Sequence, residues 1–257
     1  MIQNIIECVK NRQFIDTGRR SVVTDIGGFI QEAGEDLDSQ KMYENNLKKQ
    51  PEDWYYRLNK VYYNFNSKGY RAKEFEQIDW NNSIVLFGCT NTLGVGLEEK
   101  NTIASKIELK TGIPTVNMGI NGGSMLRSFN DSLILAENNY KPKAVVNIWT
   151  HYMRTTLYRK TNVLNIGLWN QNTADNLGSL WFKDETNPKV HSLFLKMAAK
   201  QIWQQKTKYF ECSFFPDTAD LLLCPFLDII DSSRDLMHPG IDSVDKATDI
   251  IIKGLNL

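Results

Sequence analysis

The chain has 257 residues, 42% of them hydrophobic and 23% charged, an ordinary make-up for a globular protein that can bury a sizeable core without metals or crosslinks. Lysine plus arginine and aspartate plus glutamate each count 30, so the formal net charge is zero, which argues against general affinity for nucleic acid or an anionic membrane and leaves only local patches open. Cys8, Cys89, Cys212 and Cys224 form no CxxC pair and no regular framework, as expected of free thiols in a reducing compartment.

The N-terminal stretch MIQNIIECVKNRQ lacks the continuous apolar core of a signal peptide, and no run approaches the ~18 apolar residues of a spanning helix. The expectation is a soluble, cytoplasmic protein, with a viral or phage origin left open. Ile2, Ile5, Ile6 and Val9 sit at helical spacing and predict a turn or two of amphipathic helix. Residues 31–53 are polar and charged. Trp54, Tyr55, Tyr56, Leu58, Val61, Tyr62, Tyr63 and Phe65 then form an aromatic cluster. It reads as the seam packing an extension, residues 1–79, onto a main domain, residues 80–257; a carbohydrate platform is the alternative. Asn66–Tyr70 is a turn.

From Ser83 the pattern alternates. Ser83–Phe87, Thr115–Met118 and Ala144–Trp149 read as strands, and Asp220–Cys224 as a fourth. Thr102–Thr111 reads as a helix stopped by Gly112. A second helix runs from the N-cap Ser124 to about Asn139, with Leu126, Phe129, Leu133 and Ala136 on one face. Residues 150–187 are loop-rich, 190–206 helical, and Ser243 to about Gly254 helical with Val244, Ala247, Ile250 and Ile251 on one face. Repeated strand–loop–helix units predict an α/β fold, a three-layer α/β/α sandwich around a mainly parallel sheet. Ligands bind such sheets at the carboxyl ends of the strands. Three loops meet there: FGCTNTLGVG (87–96), GINGGS (119–124) and WTHYMR (149–154).

The first of these loops can be a phosphate cradle, a nucleophile's seat or a glycine-rich turn. It lacks GxxxxGK[ST], is not GxGxxG, and runs into Glu98 and Glu99, which would repel phosphate. A hydroxyl nucleophile needs a base, and the base an orienting acid. The histidines are His151, His191 and His238. Asp235 and His238 lie three apart in RDLMHPG, where the carboxylate can hold the imidazole in one tautomer; a surface turn with the same two residues capping amides is the plain alternative. Cys89 has no basic sequence neighbour and reads as an inert buried thiol. Asn91 and Thr92 read as bonding the loop's own backbone. Trp149, Trp169 and Trp181 line a groove or fill core. His151, Asp235 and His238 match no metal-binding spacing.

Taken together, these blocks resemble the SGNH, or GDSL-like, hydrolases across about residues 80–257. Gly88-Cys89-Thr90 stands at the block that carries the family's nucleophilic serine. VNMGINGGS (116–124) is similar to the second block, with Gly122 at its glycine, VNIWTHY (146–152) to the third, and Asp235–Pro239 to the last. The resemblance implies a flavodoxin-like fold and an esterase needing no cofactor. It makes Thr90 the nucleophile, His238 the base and Asp235 its orienter, with the amides of Thr90 and Gly122 binding the oxyanion. Two positions depart from the family. Thr90 replaces serine, and its methyl restricts χ1. His151 replaces the asparagine that donates to the oxyanion. Asn121 and Arg154 join the candidate binding residues at the rim, Arg154 for a carboxylate or a sugar hydroxyl. The implied substrate is a small ester or an acetylated glycan; the alternative is a module that keeps the fold for binding or structure and has lost the chemistry.

Overall fold

The computed structural model describes residues 4–19, 22–24, 38, 40–168 and 181–257. In chain order its principal elements are α1 (Ile5–Lys10), β1 (Val22–Thr24), α2 (Gln40–Leu47), α3 (Tyr55–Leu58), β2 (Val61–Tyr63), β3 (Ile84–Gly88), α4 (Thr90–Leu93), α5 (Ile103–Thr111), β4 (Thr115–Gly119), α6 (Met125–Glu137), β5 (Ala144–Trp149), β6 (Thr155–Tyr158), β7 (Val163–Ile166), α7 (Thr186–Gln204), β8 (Lys208–Ser213), α8 (Pro216–Leu222) and α9 (Ile241–Leu255).

Four strands form a parallel sheet in the order β4-β3-β5-β8. The chain starts in the middle at β3, steps to β4 on one side, then crosses to β5 and β8 on the other. That reversal is the switch point at which open α/β sheets bind ligands. Every residue of β3 is buried, so its apolar run serves two faces at once. Ile84 and Leu86 pack with Ile103 and Ile107 of α5 and with Val244, Ala247 and Ile251 of α9. Val85 and Phe87 pack with Ile134 and Leu135 of α6 and Trp203 of α7. The result is the three-layer α/β/α arrangement, and each fully buried aliphatic side chain contributes roughly 1.5–3 kcal/mol.

The helix boundaries follow local chemistry. Thr102 caps α5 by accepting from the Ser105 amide at 3.3 Å, and Gly112 ends the helix in the left-handed region. Ser124 caps α6 by accepting from the Arg127 amide at 3.1 Å. In α1, Ile5 and Cys8 are buried while Ile6 and Val9 face solvent, so the apolar stripe is narrower than its spacing implied; Ile2 lies outside the described residues.

The aromatic cluster is core. Tyr56, Val61 and Tyr63 join Tyr43 in the same buried group as Ile84 and Leu86, with Trp54, Tyr55 and Phe65 packed against it. Leu58 and Tyr62 are its exposed members. A broad stacking surface for sugars is therefore not what these rings form.

Two expectations are corrected. Residues 220–224 are not a strand: Asp220–Leu222 belongs to the end of α8, which begins on Pro216 and buries Ala219 and Leu222 one turn apart. Leu223, beyond the helix, is left-handed and 89% exposed. The fourth strand is β8, whose sequence KYFECS carries an inward Glu211 that disguises it. Within the loop-rich 150–187 stretch, β6 and β7 pair as an antiparallel hairpin.

Candidate active site

The loop between α8 and α9 closes on itself. Asp231 accepts from the Asp242 and Ser243 amides at 3.1 and 2.8 Å, capping the start of α9, and its carbonyl accepts from the Gly240 amide at 3.0 Å. Inside that closure Ser232 bridges Pro239, the Ser233 amide donates to the His238 carbonyl at 2.9 Å, and Leu236 takes a left-handed conformation with φ of 58°. This tight turn brings Asp235 and His238 together. Asp235 Oδ2 lies 2.5 Å from His238 Nδ1, and Oδ1 collects the Ser233 hydroxyl at 2.9 Å and the Met237 and His238 amides at 2.9 and 3.0 Å. Burial pushes the Asp235 carboxyl up, but the hydrogen bond and charge of His238 and the two amides outweigh it, holding the group below its ordinary 3.8. An ionised carboxylate only accepts, so Nδ1 is a donor, which leaves Nε2 as the nitrogen that exchanges a proton. His238 itself is 7% exposed.

Thr90 opens α4 directly beyond β3. Cys89 provides no side-chain cap, and the first amides of a helix have no partner within it. The Thr90 side chain is 1% exposed, and its hydroxyl donates to Cys89 Sγ at 3.7 Å. Cys89 is buried, as its sequence context implied. Asn117 on β4 ties α4 down: its amide donates to the Thr92 carbonyl at 2.9 Å, and its Oδ1 accepts from the Gly119 amide at 2.9 Å. Gly119 is required by this packing, because a Cβ there would lie 2.3 Å from the Leu93 nitrogen. The expected backbone bond from Thr92 is absent among the described residues; its buried hydroxyl has no hydrogen-bond partner and its bulk sits over Gly88.

The chain beyond α4 then meets the loop of Asp235 and His238. The Arg234 amide donates to the Gly96 carbonyl at 3.2 Å. Gly96 has φ of 76°, and a Cβ there would lie 2.5 Å from Ser233 Oγ and 3.0 Å from the Arg234 nitrogen. Two segments about 140 positions apart in sequence thus touch, through Gly96, six residues beyond Thr90, and Arg234, the neighbour of Asp235.

The other rim loops leave neighbouring strand ends, since Gly88 pairs in register with Gly119 on one side and Ile148 on the other. The Ile120 amide donates to the Gly88 carbonyl at 3.0 Å, so Asn121 and Gly122 follow directly on a contact with the end of β3, Gly122 with φ of 65°. The Asn121 carbonyl accepts from Asn165 of β7 at 3.3 Å. His151 is half-buried beyond β5; its ring stacks on Tyr152 at 4.7 Å and meets Phe215 edge-on at 5.6 Å. Its Nδ1 accepts from the Met153 amide at 3.2 Å. Burial and then the charge of Arg154 hold His151 below its ordinary 6.5, so the neutral ring carries its proton on Nε2 and is a donor there. Arg154 lies over the Phe215 ring at 5.4 Å. Both face residues that follow β8, on the side of β5 away from β3.

His191 lies on α7 against Trp181. Trp149 is core, its indole donating to Glu211 at 3.0 Å, and Trp181 donates to the Met153 carbonyl at 2.7 Å; Trp169 lies outside the described residues. Among the described residues no cluster of three or more His, Cys, Asp or Glu is placed to hold a metal ion, and no helix is long and apolar enough to cross a membrane. Several residues that shape the site gave no sequence signal, namely Ser233 and Asp231, together with Arg71 and Asp38 outside it, while Gly96, Asn117 and Arg234 lay in stretches the sequence picked out without their roles being read.

No family model matches the chain, and no curated protein matches it. Solved structures similar to it include a member of the lipolytic protein G-D-S-L family from Veillonella parvula (10% identity, TM-score 0.42, covering 66% of this chain and 96% of that one). An acetyl xylan esterase from Butyrivibrio proteoclasticus matches at 8% identity and a TM-score of 0.44, covering 77% and 66%. A family two carbohydrate esterase from Clostridium thermocellum, solved with cellohexaose, matches at 13% identity and 0.40, covering 68% and 65%. At such distances these likenesses leave the chemistry to be read from the chain's own residues.

Proposed function

We propose that the chain is a carboxylic ester hydrolase in which Thr90, His238 and Asp235 form a nucleophile–base–orienter set. The observation that carries this reading is the Asp235–His238 pair: a buried carboxylate, saturated by three other donors, that fixes the imidazole with Nε2 as the nitrogen that exchanges a proton. The bland alternative, a surface turn, does not account for a buried pair.

In the first step Thr90 Oγ1 bonds to the ester carbonyl carbon as its proton passes to His238 Nε2. The amides of Thr90 and Gly122 receive the oxyanion, with Asn121, His151 and Arg154 at the rim. The carbonyl re-forms, the alcohol departs with the proton from Nε2, and the acyl group stays on Thr90. Water, deprotonated by His238, then attacks the acyl-enzyme; the carboxylic acid leaves and Thr90 regains its proton. Asp235 stabilises the transient imidazolium. A p-nitrophenyl acetate assay and an acetylated xylan assay separate small-ester from glycan use. Thr90→Ala is expected to abolish both, and unchanged turnover in that variant ends this mechanism.

A second reading is favoured by one observation: Thr90 is 1% exposed and its hydroxyl is turned to Cys89. A fold that keeps the pair but shuts the nucleophile away is a binding or structural module. An inactive wild type in which Thr90→Ser gains turnover supports that reading.

A further inference from the structure

We infer that side chains from residues 38–71 form a positioning frame that sets the alignment of the two reacting loops, Arg71 fixing the turn after Thr90 and the Asp38–Arg234 pair, through Tyr63, fixing the loop of Asp235 and His238. The inference rests on the reading of Thr90 and His238 as reacting partners.

Arg71 is 2% exposed and commits its whole guanidinium. Nη1 donates to the Leu93 and Gly94 carbonyls at 3.2 and 2.9 Å, Nη2 to the Leu97 and Tyr62 carbonyls at 2.9 and 3.0 Å, and Nε to Glu99 at 2.5 Å. Three of those carbonyls belong to the turn that leaves α4, whose Gly94 and Val95 amides donate back to the Thr90 carbonyl at 3.0 and 3.2 Å. A planar fork can gather four carbonyls; a lysine ammonium with three donors cannot.

Arg71 also lies 4.8 Å over the Tyr63 ring. The Tyr63 hydroxyl accepts from the Gly96 amide at 2.5 Å and donates to Asp38 Oδ2 at 2.8 Å. The other oxygen of Asp38 pairs with Arg234, both side chains buried. Arg234 in turn stacks on Tyr43 at 4.0 Å, and its carbonyl accepts from Asn46 at 3.2 Å. Asp235 is the next residue. The line Arg71–Tyr63–Asp38–Arg234 therefore spans both loops with Gly96 at its centre; Arg71, Tyr63 and Asp38 lie outside both, and Arg234 is its anchor in the second. Buried charges persist only when paired, so each link holds the next in one place. A displacement of about 1 Å between reacting groups is enough for a loss of order 100-fold.

The test uses the full chain and two mild variants, Tyr63→Phe and Arg71→Lys, with thermal melting to confirm that each is folded. On p-nitrophenyl acetate both are expected to lower kcat about 10- to 100-fold with KM little changed, and to slow labelling of Thr90 by a fluorophosphonate, which forms the Oγ1–P bond and expels fluoride, in the same proportion. The downfield proton resonance of His238 Nδ1 is expected to move in both. Folded variants with wild-type kcat and an unmoved resonance overturn the inference. A wild type that neither turns over ester nor takes the probe defeats the proposed reaction instead, and the frame is then judged on the His238 resonance alone. If melting shows that Arg71→Lys does not fold, Tyr63→Phe decides.

Discussion

The two loops that meet at Gly96 are held by opposite means. The 231–240 loop is closed by its own atoms: Asp231 binds its far end, and Ser233 and the amides of 237 and 238 converge on Asp235. The 88–97 turn is closed from outside, by Asn117 of β4 and by Arg71, with glycines where neighbours press closest. A motif that carries its own hydrogen-bond partners keeps its backbone closure wherever the fold places it, and what is set from outside, here through Asp38–Arg234, is its placement. A turn whose carbonyls are satisfied by distant side chains has the geometry that those side chains impose.

The sharpest way to break the first half of this contrast is Asp235→Asn. The amide can still accept from its neighbours but cannot favour the Nδ1–H tautomer, so kcat on p-nitrophenyl acetate is expected to fall by roughly 10⁴-fold. Urea midpoints should move far less than the rate does, because the loop's closure at Asp231 is untouched. A variant that keeps wild-type turnover removes the imidazole from the reaction.

Gly96→Ala attacks the junction itself. A left-handed alanine is disfavoured by ~1–2 kcal/mol, and forcing its methyl against Ser233 and Arg234 adds a packing penalty of ~1–3 kcal/mol. Stability in urea should therefore drop by about 2–5 kcal/mol. Gly112, also at positive φ but with open space around a Cβ, is the comparison: Gly112→Ala should lose only the conformational part. Equal losses at the two positions would show that the loops do not press on one another.

Asp231→Ala loosens the self-closed loop without touching the pair inside it. Losing a helix cap is worth ~0.5–2 kcal/mol, read as a lower melting temperature. The His238 Nδ1 resonance should survive, because the Ser233 and amide contacts to Asp235 remain.

The same contrast explains what the sequence disclosed. Ser83–Phe87 and Ala144–Trp149 read as strands because burial on both faces demands an unbroken apolar run, and Thr102, Gly112 and Ser124 marked helix ends through purely local bonds. Asp235 and His238 were legible for the same reason, being partners three residues apart. β8 was not, because Glu211 faces inward and is matched by Lys196 at 3.3 Å and by the Trp149 indole, partners that no window on the strand contains. Leu221–Leu223 looked like a strand because three apolar residues carry no period of their own. Arg71 was invisible: nothing in GYRAKE distinguishes a buried clamp from a surface arginine. The side chains that hold the turn after Thr90 are thus those that sequence order scatters furthest.

The smallest effect concerns acid. Asp235 is held below its ordinary 3.8, so its contribution to stability is present above that value and is lost as pH falls through the lower folded one. His151 is held below its ordinary 6.5 by burial and then by Arg154; the fold favours its neutral ring, and this contribution is likewise present above 6.5 and lost as pH falls through the lowered value. Both groups weaken the protein on acidification, but in separate windows, His151 first. His151→Gln keeps a polar side chain that does not titrate, so it should flatten the melting-temperature profile just below pH 6.5 and leave the limb below 3.8 in place. Asp235→Asn should do the reverse. Were His151→Gln to leave the upper window unchanged, the imidazole would have to be solvated rather than wedged between Tyr152 and Phe215, and its place as a neutral donor at the rim would be lost with it.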